Sequence, residues 1–156
     1  MKKGMYLFII VLLCNCSPKL FNKKWVKIQA PEEFSAVFET TEGDFEIHAK
    51  RAWSPEGVDR LYALIKKGFY TDVSVFRVVP NFVAQFGIHN NGVVHKSWQQ
   101  YGITDEPVVE KNKVKTIAFA RGGVQTRTTQ IFINLKDNPR LDKLSYGGVT
   151  GFPVVA

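Results

Sequence analysis

Hydrophobic and polar positions alternate with a period of two in the stretch that begins at Phe34. Phe34, Ala36 and Phe38 are separated by single residues, and a second alternating run at residues 44–49 follows a glycine-containing turn at residues 42–43. Such alternation predicts half-buried strands, and two runs around a short turn predict a β-hairpin.

The spacing of the apolar residues then changes to that of a helix. Ser54 can cap the first turn, Pro55 suits the first helical position, and Gly68 is placed to end the helix. Apolar residues recur between them at spacings of three and four. These residues are Val58, Leu61, Leu64 and Ile65.

The remainder of the chain predicts short strands separated by turns. Residues 88–113 are polar and turn-rich and are predicted as loop, and the tail at 146–156 is predicted as loop with the start of a strand. Because several short strands accompany one helix, we expect a mainly β fold, an antiparallel barrel or sandwich. The further strands are predicted at residues 73–79, 82–86, 116–120 and 130–135.

The N-terminus has the pattern of a targeting segment. Lys2 and Lys3 precede an apolar core at residues 5–13, which is too short for a membrane-spanning helix and has the length of a signal-peptide core. A cysteine directly after this core resembles the lipobox of bacterial lipoproteins, with Cys16 as the acylated residue. The alternative is an ordinary export signal, cleaved or retained, in which the cysteines are incidental.

This pattern divides the chain into three parts and predicts its location. Residues 1–15 are predicted to be a lipoprotein-type signal peptide and residues 34–156 the folded domain. Between them, residues 16–33 are a tether in which Trp25, Val26 and Ile28 can form a short strand or pack on the domain. The protein is then expected to be exported to the cell envelope or periplasm and held at a membrane by a lipid.

Composition and charge exclude several classes of function. The 156 residues fit one domain, and 45% hydrophobic with 22% charged residues is ordinary for a globular protein. Without Lys2 and Lys3 the 21 basic side chains become 19 against 14 acidic ones, with no basic stripe interleaved with aromatics, so no nucleic-acid partner is expected. No cysteine follows Cys16, which excludes thiol catalysis from the domain. No cofactor or metal is expected.

Two later stretches set hydrogen-bonding side chains among aromatic and small apolar residues. The first, residues 76–87, contains Arg77 and Gln85; the second, residues 117–134, contains Gln130. That composition suits a shallow apolar pocket with a few placed donors.

Both stretches, together with the hairpin and the helix, resemble the cyclophilin-type peptidyl-prolyl cis-trans isomerases over residues 34–156. The resemblance implies a closed antiparallel eight-stranded β-barrel with capping helices, of which the last strand and the C-terminal helix are missing from this chain. It also implies isomerisation of X–Pro bonds in exported, proline-containing polypeptides, without a cofactor.

The resemblance assigns a role to each candidate residue. Arg77 and Gln85 match the catalytic positions. A fixed guanidinium can donate to the prolyl nitrogen as the amide twists, or hold the pivoting carbonyl, and so favours the twisted state over the planar one. The matched substrate-binding positions are Phe82, Val83, Ala120, Arg121, Gln130, Phe132, Leu141 and Tyr146.

Some positions depart from the family pattern and keep other functions open. Arg121 stands where the family commonly has asparagine, and Arg140 where many members have a tryptophan that grips a cyclic inhibitor, so weak inhibitor binding is expected. The alternatives are a non-catalytic Pro-peptide-binding module or chaperone, and a structural lipoprotein whose barrel displays loops. Taken singly, each apolar site residue is better explained by core packing than by a binding role.

Overall fold

The computed structural model describes residues 19–156, so the predicted signal peptide and Cys16 lie outside the described residues. No helix within 19–156 is long and apolar enough to cross a bilayer. Three short 3-10 helices occupy Lys23–Lys27, Arg51–Trp53 and Pro139–Asp142. The strands and helices are β1 (Glu33–Phe38), β2 (Phe45–Lys50), α1 (Pro55–Lys66), β3 (Arg77–Val79), β4 (Val83–Phe86), α2 (Gly92–Gln99), β5 (Ile117–Phe119), β6 (Ile131–Asn134), β7 (Ser145–Tyr146) and β8 (Val149–Thr150).

The predicted hairpin and helix are confirmed. Strands β1 and β2 pair antiparallel from Glu33 opposite Lys50 to Phe38 opposite Phe45. Helix α1 buries its apolar stripe, with Val58 and Leu61 fully enclosed, as its helical spacing predicts.

The predicted cap of α1 was wrong, because the Ser54 side chain makes no capping hydrogen bond. The carboxylate of Glu106 instead accepts from the backbone N–H of Glu56 at 2.8 Å and of Gly57 at 3.1 Å. A carboxylate is well suited to these unpaired donors at the positive end of the helix dipole. Glu106, about fifty positions away along the chain, therefore caps the helix that Ser54 was predicted to cap.

Four strands form the central sheet in the order β3-β4-β6-β5. The predicted strand at 73–79 is shorter than expected, since only Arg77–Val79 pairs with β4. Directly opposed residues of antiparallel strands share a face, so each row across this sheet belongs to one side. One row is Phe86, Ile131 and Phe119, all buried in the main core with α1 and the β1–β2 hairpin.

Helix α2 was not predicted, because the Asn-Asn-Gly sequence that begins it is typical of a turn. Asn91 is in fact the N-cap, and its side-chain oxygen accepts from the backbone N–H of Val93 and Val94 at 2.9 and 3.2 Å. Val94 and Trp98, four residues apart, are the buried positions of this helix. The region 88–113 is therefore only partly loop.

The hydrogen-bond ladders of residues 19–156 form three separate sheets, namely the central sheet and the hairpins β1–β2 and β7–β8. The strands are eight in number and antiparallel throughout, but their ladders do not join into one closed cylinder. The tail at 151–156 extends the central sheet, because Ile117 exchanges backbone hydrogen bonds with Ala156 and Val155 at 2.7 and 2.8 Å.

Part of the predicted tether packs on the domain. Phe21 stacks on Tyr101 with ring centroids 4.4 Å apart, and Trp25 lies 5.4 Å from Trp98. The backbone N–H of Ala30 donates to Asp59 of α1 at 2.8 Å. Residues from 19 onward therefore follow the surface of the domain.

Candidate active site

The second face of the central sheet carries the candidate catalytic residues in one row. Arg77 on β3 lies opposite Gln85 on β4, Gln85 opposite Phe132 on β6, and Phe132 opposite Ala118 on β5. These four residues therefore point to the same side, away from the main core. The period-two pattern of short strands explains why a guanidinium, an amide and an aromatic ring share a surface.

A chain of side-chain hydrogen bonds links the polar residues of this face. Arg77 Nη1 donates to Gln85 Oε1 at 3.1 Å, and Gln85 Nε2 donates to Gln130 Oε1 at 2.9 Å. Both ends of the Gln85 amide are therefore used, one to orient the exposed guanidinium and one to connect it to the residue before β6.

An apolar groove of about 400 Å³ lies beside this chain. The structure brings together nine of the ten residues predicted for catalysis and substrate binding as its lining, and the tenth, Gln130, is bonded to the lining residue Gln85. The lining residues are Arg77, Phe82, Val83, Gln85, Ala120, Arg121, Phe132, Leu141, Leu144, Tyr146 and Phe152.

The floor of the groove is a small core of its own, separate from the main one. Val83, Phe132 and Leu141 are buried and pack together with Phe152, whose ring meets that of Phe132 edge to face at 5.8 Å. A rigid apolar floor beside fixed donors is the usual construction of a small-ligand site. Tyr146, more than half exposed, stands at the rim.

Sequence reasoning missed Leu144 and Phe152, which also line the groove. Neither lies in a periodic stretch, and Phe152 stands between a glycine and a proline in the tail predicted as loop. The backbone of Phe152 is fixed by hydrogen bonds to Leu141 and to the side chain of Asn112, both of 2.9 Å. No sequence pattern encodes such long-range contacts.

A buried amide network supports one end of the groove. Asn138 Nδ2 donates to the carbonyl of Phe82 at 3.0 Å and to Asn134 Oδ1 at 2.7 Å. Asn134 Nδ2 donates in turn to Asn112 Oδ1 at 3.1 Å. Buried polar groups that satisfy one another in this way fix the geometry of the segments they join. This network holds the backbone of Phe82 at the groove.

Arg121 forms part of the groove wall. Its guanidinium carbon lies 4.8 Å from the ring centroid of Phe152, and Nη2 donates to the carbonyl of Gly151. Nε and Nη1 are buried without a hydrogen-bond partner among the described residues. Burial lowers the pKa of Arg121, with Asp105 opposing the effect. The side chain stays a cation, and its position leaves unused donors beside the groove.

Several backbone N–H groups near Arg121 already donate hydrogen bonds within the protein. The N–H of Ala120, one of the predicted substrate-binding residues, donates to the carbonyl of Gln130 at 2.9 Å. The N–H groups of Gly122 and Gly123 both donate to Thr126 Oγ1 at 2.9 Å. A bound peptide would therefore have to form hydrogen bonds with backbone groups of this segment other than these three N–H groups.

A buried ion pair fixes the loop between β5 and β6. Arg127 is fully enclosed, and its Nη2 donates to Glu106 Oε2 at 2.9 Å and to the carbonyl of Thr104. Arg127 Nη1 donates to Ser54 Oγ at 3.2 Å. Because Glu106 also caps α1, this ion pair ties the loop on one side of the groove to the start of the helix.

Two histidines with shifted pKa values lie outside the groove lining. Burial lowers the pKa of His89 and of His95, which lie around the start of α2. Among residues 19–156 no three His, Cys, Asp or Glu side chains are grouped closely enough to hold a metal ion.

Known proteins resemble this chain in sequence and in fold. It is 29% identical over 110 residues to the peptidyl-prolyl cis-trans isomerase-like 1 of Aspergillus fumigatus, covering 68% of each chain. It is 29% identical over 111 residues to a peptidyl-prolyl cis-trans isomerase of Helicobacter pylori, covering 69% of this chain and 66% of the relative.

The fold matches crystal structures of a cyclophilin-type peptidyl-prolyl cis-trans isomerase of Cryptosporidium parvum. One superposes with a TM-score of 0.59 at 18% identity, covering 80% of this chain and 78% of the other. Another, determined in the presence of the dipeptide Ala-Pro, gives 0.58. The fold is therefore cyclophilin-like and mainly β.

The family model of the cyclophilin-type peptidyl-prolyl cis-trans isomerases matches residues 35–155, which is most of the chain. It covers both faces of the central sheet and every residue of the groove lining. The chain belongs to the cyclophilin-type peptidyl-prolyl cis-trans isomerase family.

Proposed function

We propose that this protein accelerates cis-trans isomerisation of X–Pro bonds, with Arg77 as the residue that stabilises the twisted amide. The observation that carries the proposal is the hydrogen bond of Arg77 to Gln85 at the edge of an apolar groove. The floor of Val83, Phe132 and Leu141 offers an apolar surface for a proline ring, and the guanidinium offers a donor beside it.

The mechanism needs only one placed donor. The planar amide resists rotation with a barrier of about 18–20 kcal/mol, and rotation localises a lone pair on the prolyl nitrogen. A hydrogen bond from Arg77 to that nitrogen, or to the rotating carbonyl, is stronger in the twisted state than in the planar one. A charged donor of this kind contributes about 1.5–3 kcal/mol, or roughly 10- to 150-fold in rate.

Gln85 reduces the cost of placing that donor. An exposed arginine samples many rotamers, and ordering it opposes catalysis. Since Gln85 accepts from Arg77 and is itself held by Gln130, part of this ordering is complete before substrate binds. The amide chain is thus a support for the guanidinium, and no proton transfer or covalent step is required.

The proposal is tested by the rate of cis-trans exchange of a proline-containing peptide, measured by NMR exchange spectroscopy. Arg77→Ala should lower kcat/KM by at least tenfold, while peptide affinity changes little. Lys111→Ala, which removes one exposed positive charge away from the groove, is the matched control and should leave the rate unchanged. Equal exchange rates with wild type and Arg77→Ala would refute the catalytic role and favour a binding module or chaperone.

We further propose that the substrates are exported proteins and that the chain is lipid-anchored through Cys16. The support is the sequence of residues 1–16, with its basic start, apolar core and following cysteine. Mass spectrometry of the protein from a bacterial host should find an acylated N-terminal cysteine, absent from Cys16→Ser. Acylation retained in Cys16→Ser and lost in Cys14→Ser would move the site to Cys14, and an unmodified N-terminus would refute the anchor.

A further inference from the structure

Residues 19–28, here called the basic arm, are fastened to the domain along one side. The backbone N–H of Phe21 donates to Ser97 Oγ at 2.9 Å, and Trp98 Nε1 donates to the carbonyl of Lys19 at 3.2 Å. The rings of Phe21 and Trp25 face Trp98 and pack on the main core. The arm is therefore a fixed part of the surface.

The other side of the arm faces outward and is strongly basic. No acidic residue occurs between residues 19 and 31, and all four lysines of the arm are exposed. Within the described part of the chain, none of the four lies within 4 Å of a carboxylate. Lys67, at the end of α1, places its amino group 5.1 Å from the Trp25 ring and extends the basic surface. The four arm lysines are Lys19, Lys23, Lys24 and Lys27.

Two large apolar side chains stand among these lysines. Leu20 and Val26 are 55% and 58% exposed. Glu56 and Asp59 line a shallow depression beside Val26. Asp59 is paired with Arg51 at 2.9 Å, and Glu56 lies more than 4 Å from the amino group of every arm lysine. The outward side thus combines uncompensated positive charge with exposed aliphatic groups.

We propose that the basic arm binds the surface of an anionic lipid bilayer. Lysine side chains place their amino groups at lipid phosphates while their methylene stems lie along the apolar boundary, and aliphatic side chains such as Leu20 and Val26 enter that boundary. Nucleic acid fits the arm less well, because its aromatic rings are used against the domain and its exposed apolar groups are aliphatic.

This assignment changes how the domain is held at a membrane. A flexible tether would let the domain stand away from the bilayer. An arm fixed by Ser97 and Trp98 would instead keep the domain against the lipid surface in one orientation. The inference does not depend on isomerase activity, since no residue of the arm lines the groove.

The test is partition of the full-length chain into vesicles, read by co-sedimentation. Vesicles of phosphatidylcholine alone are compared with vesicles containing about one third phosphatidylglycerol, and each lysine near such a surface adds roughly fivefold in affinity. Replacing Lys23, Lys24 and Lys27 together by glutamine should therefore weaken binding to the anionic vesicles by about 100-fold. Binding to neutral vesicles, which reports any contribution of residues 1–18, should stay the same.

A second triple variant controls for net charge. Lys111, Lys113 and Lys136 are exposed and lie outside the arm, so their replacement by glutamine should change anionic binding by less than about threefold. Equal losses in both triple variants, or equal binding of the wild type to neutral and anionic vesicles, would overturn the proposal. Stronger binding of the arm to a single-stranded oligonucleotide than to anionic vesicles would overturn the choice of lipid.

Discussion

Replacing Glu106 by glutamine is expected to destabilise the domain by about 3–5 kcal/mol, which is the usual cost of removing one partner from a buried ion pair. The Arg127 side chain is fully enclosed and that of Glu106 is 11% exposed, so water cannot replace the lost carboxylate. The buried guanidinium would then lack its anionic partner.

The magnitude is supported by the number of donors that converge on Glu106. Its carboxylate accepts from Arg127, from Ser54 Oγ, and from the backbone N–H groups of Glu56 and Gly57. Glutamine can keep one acceptor oxygen, but its amide N–H₂ faces the donors that remain. The cost therefore includes a weakened cap on α1, typically about 1 kcal/mol, together with the unpaired arginine.

Urea denaturation followed by circular dichroism measures this change as a shift in midpoint at constant slope. Glu110→Gln is the matched control, because Glu110 makes a partly exposed 3.9 Å contact with Lys113 and an exposed hydrogen bond from the backbone N–H of Lys111, which the glutamine oxygen can keep. This change should cost less than about 0.5 kcal/mol. In a double-mutant cycle, Glu106→Gln and Arg127→Met should couple by about 2 kcal/mol or more. A loss below about 1 kcal/mol in Glu106→Gln would refute the view that this pair secures the loop.

Three further predictions concern the groove and the histidines. Gln85→Leu should lower kcat/KM about tenfold in the NMR exchange assay while Arg77 is intact, because the guanidinium loses its support; an unchanged rate would contradict this. Arg121→Ala should reduce, by about fivefold, any preference for glutamate over glutamine before the proline, measured as a kcat/KM ratio. Burial lowers the pKa of His89, so around and below about pH 6.5 the unfolded chain binds more protons than the folded one. The free energy of unfolding should therefore fall as the pH is lowered from about 7.5 to 5.5, and it should fall less steeply in His89→Gln.

The local pattern of the chain predicted much of the fold, and distant contacts account for what it missed. Period-two alternation identified the β1–β2 hairpin, and helical spacing identified α1, because both patterns arise within a few residues. Helix α2 begins with a sequence typical of a turn, and only Val94 and Trp98, four residues apart, indicate a helix there. The cap of α1 by Glu106 depends on residues about fifty positions apart, which no local pattern reports.

The candidate site, too, was predicted where the signal is local and missed where the contacts are distant. Arg77, Gln85 and Phe132 were found because they lie in short strands whose composition resembles a known family, and strand register then places them in one row. Phe152 and Leu144 reach the groove through the path of the tail, which is set by hydrogen bonds to Leu141 and Arg140. The sequence near these two residues carries no periodic signal, so only the folded chain reveals them.

The two faces of the central sheet explain why the groove can vary while the fold persists. On one face Phe86, Phe119 and Ile131 belong to the main core, where a change of volume would disturb α1 and the hairpin. On the other face only the Arg77 and Gln85 end of the row opens to solvent, while Phe132 and Ala118 are buried in the floor of the groove. Substitutions at the open end should therefore cost little stability and act on binding and catalysis. Arg121 lies in the wall of this groove, outside the main core, so its effect should be sought in which peptides the groove accepts.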